Sequence, residues 1–204
     1  ALAKELNGVR AKSASVVQGD LLAHNALKGL VVHAASEFGR LDGLVNNASA
    51  FYPTPVGQID EDNWTELIDS NLKAPLFLSQ AAAPYLKKNG GSIVNIVDIH
   101  AERPLKDFVV YTIAKAGLAG LTRSLALELG PEIRVNGVSP GAILWPDGGH
   151  DYPQAERQRI VEQTPLQRVG SPADIAGAVK YLMLDAPYVS GQILAVDGGR
   201  SVAL

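Results

Sequence analysis

Residues 96–115 read IVDIHAERPLKDFVVYTIAK, and this stretch decides the fold. An apolar, β-branched run stops at a carboxylate, Asp98, where a buried strand would end, and a helical pattern follows. Within that pattern Tyr111 and Lys115 lie four residues apart, so their side chains share one face of the helix. The stretch therefore predicts a strand, a loop and a helix that aim an acid, a phenol and an amine at one place.

The same alternation of strand and helix runs along the whole chain. The apolar runs are nearly continuous, as in parallel strands that are covered on both faces. The predicted strands are 15–18, 43–46, 92–98, 134–138 and 192–196, and the predicted helices are 24–39, 62–88, 108–129 and 172–184. Repeated strand–helix units imply right-handed crossovers. The sequence therefore predicts an α/β fold with a doubly wound parallel sheet, in a single domain over residues 1–204.

Composition and charge exclude several classes of function. The formal net charge is −3 and the basic residues are scattered, so there is no basic stripe for nucleic acid and no cationic helix for a membrane surface. No apolar run approaches the roughly 20 residues of a membrane-spanning helix. Cysteine is absent and the four histidines lack ligand spacing, so no metal site is predicted. We expect a cytoplasmic protein that binds a small molecule.

Polar or glycine residues follow every predicted strand. They are Asp20, Asn46 to Ser49, Asp98, Ser139 to Gly141, and Asp197 to Gly199. In open α/β sheets ligands bind beyond the carboxyl ends of the strands, so these remote residues are predicted to meet at one crevice. A proline- and glycine-rich stretch follows the fourth strand and is too long for a turn. It predicts a lid loop, at about 139–165, over that crevice.

Four motifs, in order and spacing, resemble those of the short-chain dehydrogenase/reductase family. They are Asn46-Asn47-Ala48, Asn71 in NLKAP, Tyr111-Thr112-Ile113-Ala114-Lys115, and Pro140-Gly141. Four motifs in register are far more specific than a lone Tyr–Lys pair. The resemblance implies a Rossmann-like fold, and the opening helix is similar to the third helix of the family.

The resemblance also implies a segment upstream of residue 1. We expect two further strands and the glycine-rich turn of the family there, roughly 30 to 40 residues, or one strand–helix–strand unit. In the strand order of the family, those two strands lie between the run at 15–18 and the other predicted strands. The five predicted strands alone are therefore not expected to form one continuous sheet.

The resemblance assigns candidate catalytic roles to Asn71, Asp98, Tyr111 and Lys115. Tyr111 would exchange a proton with the substrate, and a neighbouring ammonium favours the ionised phenol and eases that exchange near neutral pH. Lys115 would also hydrogen-bond the nicotinamide ribose, and Asn71 would hold a water that continues the relay. NADPH is the expected cofactor. Its candidate contacts are Asp20, Leu21, Asn47, Ala48, Ser49, Tyr111, Lys115, Pro140 and Gly141.

Asp98 departs from the serine that most family members carry. An ionised carboxylate keeps the phenol protonated, which suits reduction, and it accepts hydrogen bonds from the N–H groups of a nitrogen heterocycle. Together with NNASAFYPTP at 46–55, this resembles the pteridine reductase subgroup. The resemblance implies reduction of dihydrobiopterin- or dihydrofolate-like rings. Candidate substrate contacts are Ser49, Phe51, which would stack on the pterin, Asp98, Tyr111 and Trp145 in the lid loop.

Other interpretations of these residues stay open at the level of sequence. Phe51 could anchor its loop on the core, Asp98 could cap a turn, Asp20 could be a turn residue, and Trp145 could pack on the body of the protein. Asp98 could also be incidental in another short-chain carbonyl or acyl reductase, or the chain could be a non-catalytic dinucleotide-binding regulator. The resemblance further implies a homotetramer, formed through the helices at 62–88 and 108–129.

Overall fold

A four-stranded parallel sheet forms the centre of the computed structural model, which describes residues 1–145 and 153–203. The strands are β1 (Gly43–Asn46), β2 (Ser92–Ile96), β3 (Arg134–Pro140) and β4 (Ile193–Val196), and they lie side by side in chain order. Each pairs in parallel with the next, with Gly43 opposite Ser92 and Ser92 opposite Arg134. The predicted α/β fold with a parallel sheet is therefore confirmed.

Helices connect the strands and cover them. They are α1 (Leu2–Val9), α2 (His24–Glu37), α3 (Glu61–Ile68), α4 (Ala74–Leu86), α5 (Val109–Leu129), α6 (Gln154–Glu162), α7 (Pro172–Lys180) and α8 (Arg200–Ala203). A π-helical turn, Asp69–Lys73, joins α3 to α4 into one helical run, and a second, Tyr181–Asp185, extends α7. Within the described residues, none of the helices is both long and apolar enough to cross a membrane.

The predicted strand at 15–18 is wrong. These residues are exposed and belong to no strand, and Val16 is 78% exposed. A strand needs a neighbour that accepts and donates its ladder hydrogen bonds. The ladder of β1 is formed with β2, and no described strand lies beside residues 15–18. Apolar character alone therefore does not make this run a strand.

The sheet is packed between two layers of helices, as a doubly wound fold requires. On β2, Ile93 packs with Val31 of α2 and Leu86 of α4, whereas the next residue, Val94, packs with Leu182 after α7. Successive side chains of a strand point to opposite faces, so one strand contributes to both cores. This explains why its sequence is apolar at nearly every position.

The predicted lid loop contains a helix that the sequence analysis did not predict. Residues 154–162 form α6, in which Glu156 pairs with Arg159 one turn away and Ile160 is buried. The sequence of α6 is strongly polar, and Ile160 is its only buried residue. One buried residue gives no helical periodicity of apolar residues, so the sequence pattern did not predict this helix. The part of the predicted loop at 146–152 lies outside the described residues.

Candidate active site

The carboxyl ends of the four strands lie on one edge of the sheet. Asn47 directly follows β1, Gly141 follows β3 and Asp197 follows β4, and Asp98 is the second residue after β2. A Cβ atom on Gly141 would come within 2.8 Å of the Asp197 Cα, so the close approach of two strand ends requires glycine there. This packing gives a structural reason for the Pro140-Gly141 motif.

The predicted acid and phenol meet at this edge. Tyr111, in the first turn of α5, donates its hydroxyl hydrogen to Asp98 Oδ2 at 2.7 Å. The other carboxylate oxygen, Oδ1, accepts from the backbone N–H of His100 at 2.8 Å and caps the short 3₁₀ turn Ile99–Ala101. Asp98 therefore does both: its Oδ1 caps a turn, and its Oδ2 contacts Tyr111.

Lys115 lies one helical turn beyond Tyr111 and is almost completely buried. Lys115 is 2% exposed, and its Nζ lies 5.6 Å from the centre of the Tyr111 ring. Burial lowers the pKa of Lys115 to about 8, and the negative charge of Asp98 partly opposes this shift. The amine is therefore held at the boundary between its charged and neutral forms near physiological pH.

The hydrogen bonds of Lys115 fit the nicotinamide cofactor that the motifs imply. An ammonium has three N–H donors. Within the described residues Nζ donates to one acceptor, the Ile96 carbonyl oxygen at 2.9 Å. The remaining donors suit hydroxyl oxygens of a ribose. Asn47, Ala48 and Ser49 are exposed at the end of β1, as a ligand-contacting segment should be.

Asn71 lies in the π-helical turn and is 1% exposed. Its Oδ1 accepts from Ser49 Oγ at 2.6 Å, and its Nδ2 donates to the carbonyl oxygens of Ala50 and Leu67, both at 3.0 Å. Within the described residues no hydrogen bond joins Asn71 to Lys115. Asn71 thus anchors the loop after β1. The sequence analysis did not predict this role, because the NLKAP motif does not indicate which residues Asn71 bonds.

Phe51 packs on the core and also faces the candidate site. Its ring stacks on Phe108, with centroids 4.6 Å apart, and meets Tyr111 edge-on at 4.8 Å. Both alternatives considered for Phe51 are therefore compatible with its position. One part of the ring fixes the loop, and another part lines a cavity.

The FYPTP segment has a further role that the sequence did not reveal. Thr54 is buried; its N–H donates to the Asp107 carbonyl at 2.6 Å, and its Oγ1 accepts from the Val110 N–H at 3.2 Å. The first N–H groups of a helix have no partner within the helix. Thr54 therefore caps α5 next to Tyr111 and fixes the start of the helix that carries the candidate catalytic pair.

A cavity of about 240 Å³ brings four of the five candidate substrate contacts together. Phe51, Asp98, Tyr111 and Trp145 all line it, whereas Ser49 is not part of its wall. Its far wall comes from α6 and α8, through residues that the sequence analysis did not select: Glu156, Arg159, Ile160 and Arg200. The Arg157 guanidinium lies 5.3 Å from the centre of the Trp145 ring. Trp145 therefore contacts α6 and faces the cavity at the same time.

Only some of the remaining predicted cofactor contacts lie at this edge of the sheet. Pro140 and Gly141 end β3 beside Asp197. Asp20 and Leu21 lie in the loop before α2, where Asp20 Oδ1 accepts from the Leu22 N–H at 2.9 Å. The alternative that Asp20 is a turn residue is thus compatible with its geometry.

The fold and the site together define the class of protein. A parallel α/β sheet whose strand ends gather a tyrosine and a buried lysine from one helix is suited to a nucleotide-dependent oxidoreductase. The family model described as Enoyl-(Acyl carrier protein) reductase matches residues 1–201. The chain belongs to the short-chain dehydrogenase/reductase family, whose members are oxidoreductases that bind NAD(P)H.

Several known proteins are similar over nearly the whole chain. Pteridine reductase 1 of Leishmania tarentolae is 36% identical over 242 residues, covering 98% of this chain and 83% of that protein. The 3-oxoacyl-(acyl-carrier-protein) reductase FabG of Thermotoga maritima is 33% identical, covering 97% and 81%. A solved structure of an apo SCOR enzyme from Clostridium thermocellum is 32% identical, with a TM-score of 0.81 over 91% of this chain and 73% of that one.

We expect the reaction rate to fall as the pH rises through about 8, where Lys115 loses its proton. Burial places the pKa of Lys115 below that of a free lysine, so the ammonium is present below this pH and is lost above it. A pH profile of kcat/KM measures this loss in the free enzyme. Because the Asp98 charge raises the pKa of Lys115, Asp98→Asn should move the alkaline limb to lower pH. A profile that stays level up to the pKa of a free lysine, about 10.4, contradicts this expectation.

Proposed function

We propose that this oxidoreductase reduces pteridines, of the dihydrobiopterin or dihydrofolate type, with NADPH. The observation that carries the proposal is the hydrogen bond of 2.7 Å between Tyr111 and Asp98 in a cavity that Phe51 also lines. A carboxylate at this position accepts hydrogen bonds, which matches the N–H and amino groups of a pterin better than a carbonyl oxygen. The similarity to pteridine reductase 1 supports the same substrate class.

The residues around the cavity supply the proton and the orientation. When bound, NADPH supplies the hydride. The phenol hydrogen lies between Tyr111 Oη and Asp98 Oδ2, and the pair can release a proton to a ring nitrogen in the cavity. The nearby ammonium of Lys115 stabilises the negative charge that remains on the pair.

Aromatic contacts and the lid helix complete the proposed site. The Phe51 ring is fixed by Phe108 and offers a flat surface on which a pterin can stack, worth about 0.5–1.5 kcal/mol beyond the buried area. Trp145 and α6 cover the cavity on the other side. A bound ring that fills the cavity would displace water from Asp98, and the lower local dielectric would strengthen the hydrogen bonds between them.

Reduction of an acyl or other carbonyl substrate is the second candidate. The family description and the similarity to FabG favour it. It would require Asp98 to be incidental to the chemistry, and a carboxylate that accepts a hydrogen bond from the Tyr111 hydroxyl does not fit that requirement. A non-catalytic regulator would have no use for a buried lysine beside this pair.

One assay separates the three candidates. The protein is mixed with NADPH or NADH and, in turn, with dihydrobiopterin, dihydrofolate, an acyl thioester and simple carbonyls, and the loss of reduced nicotinamide absorbance is followed. The expected result is a higher kcat/KM for the pteridines, with NADPH preferred. Turnover of the thioester without turnover of pteridines supports the second candidate, and binding of NADPH without any turnover supports a regulator.

We also propose a homotetramer in the cytoplasm. Leu76 and Phe77 of α4 and Ile113 of α5 are large apolar side chains that remain partly exposed on the helices expected to pair. Light scattering of the purified protein measures the mass of the assembly. A monomeric mass would contradict the tetramer.

A further inference from the structure

A histidine of α2 is bonded to the π-helical turn that carries Asn71. His24 Nε2 lies 2.7 Å from Asp69 Oδ2, and Lys73 Nζ lies 3.3 Å from the same oxygen. The carboxylate oxygen can only accept, so the hydrogen in the first contact is on Nε2 of the imidazole. Asp69 is 8% exposed, and reduced contact with water strengthens its bond to His24, whereas the side chain of Lys73 is 41% exposed and contributes less.

The π-helical turn makes contacts in two directions. Asp69 reaches α2, whereas Asn71, two residues later, reaches Ser49 and Ala50 in the loop after β1. A π-helical turn holds one residue more than an α-helical turn, is rare, and is frequent at functional sites. If the turn returned to α-helical register, one set of contacts would rotate relative to the other. The contacts of Asp69 with α2 and those of Asn71 with the loop after β1 can therefore form at the same time only in the observed register.

Packing alone does not account for His24. Leu27 and Val31 attach α2 to the core without its help. Within the described residues, Nδ1 of His24 is buried without a hydrogen-bond partner, an unfavourable situation that an apolar side chain would avoid. The bond from Nε2 to Asp69 gives a reason for an imidazole at this position.

We propose that the His24–Asp69 bond holds the turn Asp69–Lys73 in its π-helical register. His24 and Asp69 are thus positioning residues for the loop at 49–51, which Asn71 anchors and which carries Ser49 and Phe51. The bond acts on the cofactor and substrate contacts from outside the cavity. Only the measurements of pteridine turnover rest on the proposed function. The effect of the bond on the turn and the loop does not depend on which substrate the enzyme reduces.

The first test is hydrogen–deuterium exchange of backbone amides in His24→Leu and His33→Leu. His33 lies on the same helix, is exposed, and makes no side-chain hydrogen bond to the turn within the described residues. In His24→Leu, the hydrogen-bonded amides of the turn at 69–73 are expected to exchange about tenfold faster, as local opening becomes easier. The His33→Leu control is expected to match the unmodified protein. If His24→Leu does not fold, Asp69→Ala removes the same bond without changing α2.

The second test is steady-state kinetics with NADPH and dihydrobiopterin. His24→Leu is expected to raise KM for both and to lower kcat/KM by about ten- to a hundredfold, the range for a displaced contact loop. The alkaline limb of the pH profile should not move, because Lys115 is not touched. His24→Gln should restore most of the loss, since its amide can donate to Asp69.

Unchanged exchange at 69–73 in a folded His24→Leu or Asp69→Ala variant overturns the proposal. An equal loss of kcat/KM in His33→Leu also overturns it. Faster exchange in His24→Leu, together with an unmodified protein that reduces no pteridine, supports the positioning role and contradicts the proposed function. The two conclusions therefore fail separately.

Discussion

Replacing Tyr111 with phenylalanine is expected to lower kcat for pteridine reduction by about 10²- to 10⁴-fold, the usual effect of losing a positioned general acid. The change removes the hydroxyl that donates to Asp98 Oδ2. It keeps the ring, which meets Phe51 edge-on at 4.8 Å, so the fold and the cavity are retained. Steady-state kinetics gives the size of the effect, and the thermal unfolding midpoint shows whether the protein remains folded.

Tyr188→Phe is the matched control for this substitution. Tyr188 is fully exposed, so the same chemical change there should alter neither kcat nor the unfolding midpoint. A Tyr111→Phe variant that turns over pteridines as fast as this control would remove Tyr111 from the proposed mechanism. Loss of activity with an equal loss of folded protein would show that the hydroxyl serves to stabilise the fold through its bond to Asp98 and would leave no evidence for proton donation.

Asp98→Ser is expected to exchange one substrate class for another. The kcat/KM for pteridines should fall by about 10²- to 10³-fold, as when one preorganised hydrogen-bonding group is removed from an active site. Serine is a neutral donor that can orient a carbonyl oxygen, so turnover of carbonyl compounds should appear or rise. Assays of both variant and unmodified protein with dihydrobiopterin and with a carbonyl substrate measure the two changes together.

Asp98→Asn separates the two hydrogen bonds that the carboxylate makes. Its amide oxygen can still accept from the His100 N–H and cap the turn, but the amide nitrogen cannot accept from Tyr111. Asn is therefore expected to keep the unfolding midpoint and to lose most of its pteridine turnover, with a residual rate that still gives the alkaline limb of its pH profile. If the Asn variant keeps full turnover, Asp98 serves the turn alone, and the carbonyl or acyl reductase becomes the better assignment.

The convergence of Asp98, Tyr111 and Lys115 could be predicted from the sequence because local rules determine it. The end of a parallel strand fixes one side chain at the edge of the sheet, and a spacing of four residues fixes the other two on one helix face. The boundaries of β1 were predicted correctly for the same kind of reason, since a short apolar run ends at polar residues on both sides.

The errors and omissions concern contacts between distant segments. The run at 15–18 has the composition of a strand, but composition does not say whether a neighbouring strand is there to pair with it. The bond from Asn71 to Ser49 depends on one extra residue in a helical turn, which leaves no periodic signal. The wall formed by Arg159 and Arg200 comes from a polar helix and from the C-terminal helix α8, and neither carries a motif.

The far wall of the cavity has a consequence for how substrate preference can change. The acid, phenol and amine lie within residues 98–115, whereas the opposite wall comes from α6 and α8, more than thirty residues further along the chain. The part of substrate preference that depends on this wall is thus encoded apart from the residues proposed for proton transfer. Exchanging α6 between homologues would therefore create enzymes with new preferences while the proton-transfer machinery stayed the same.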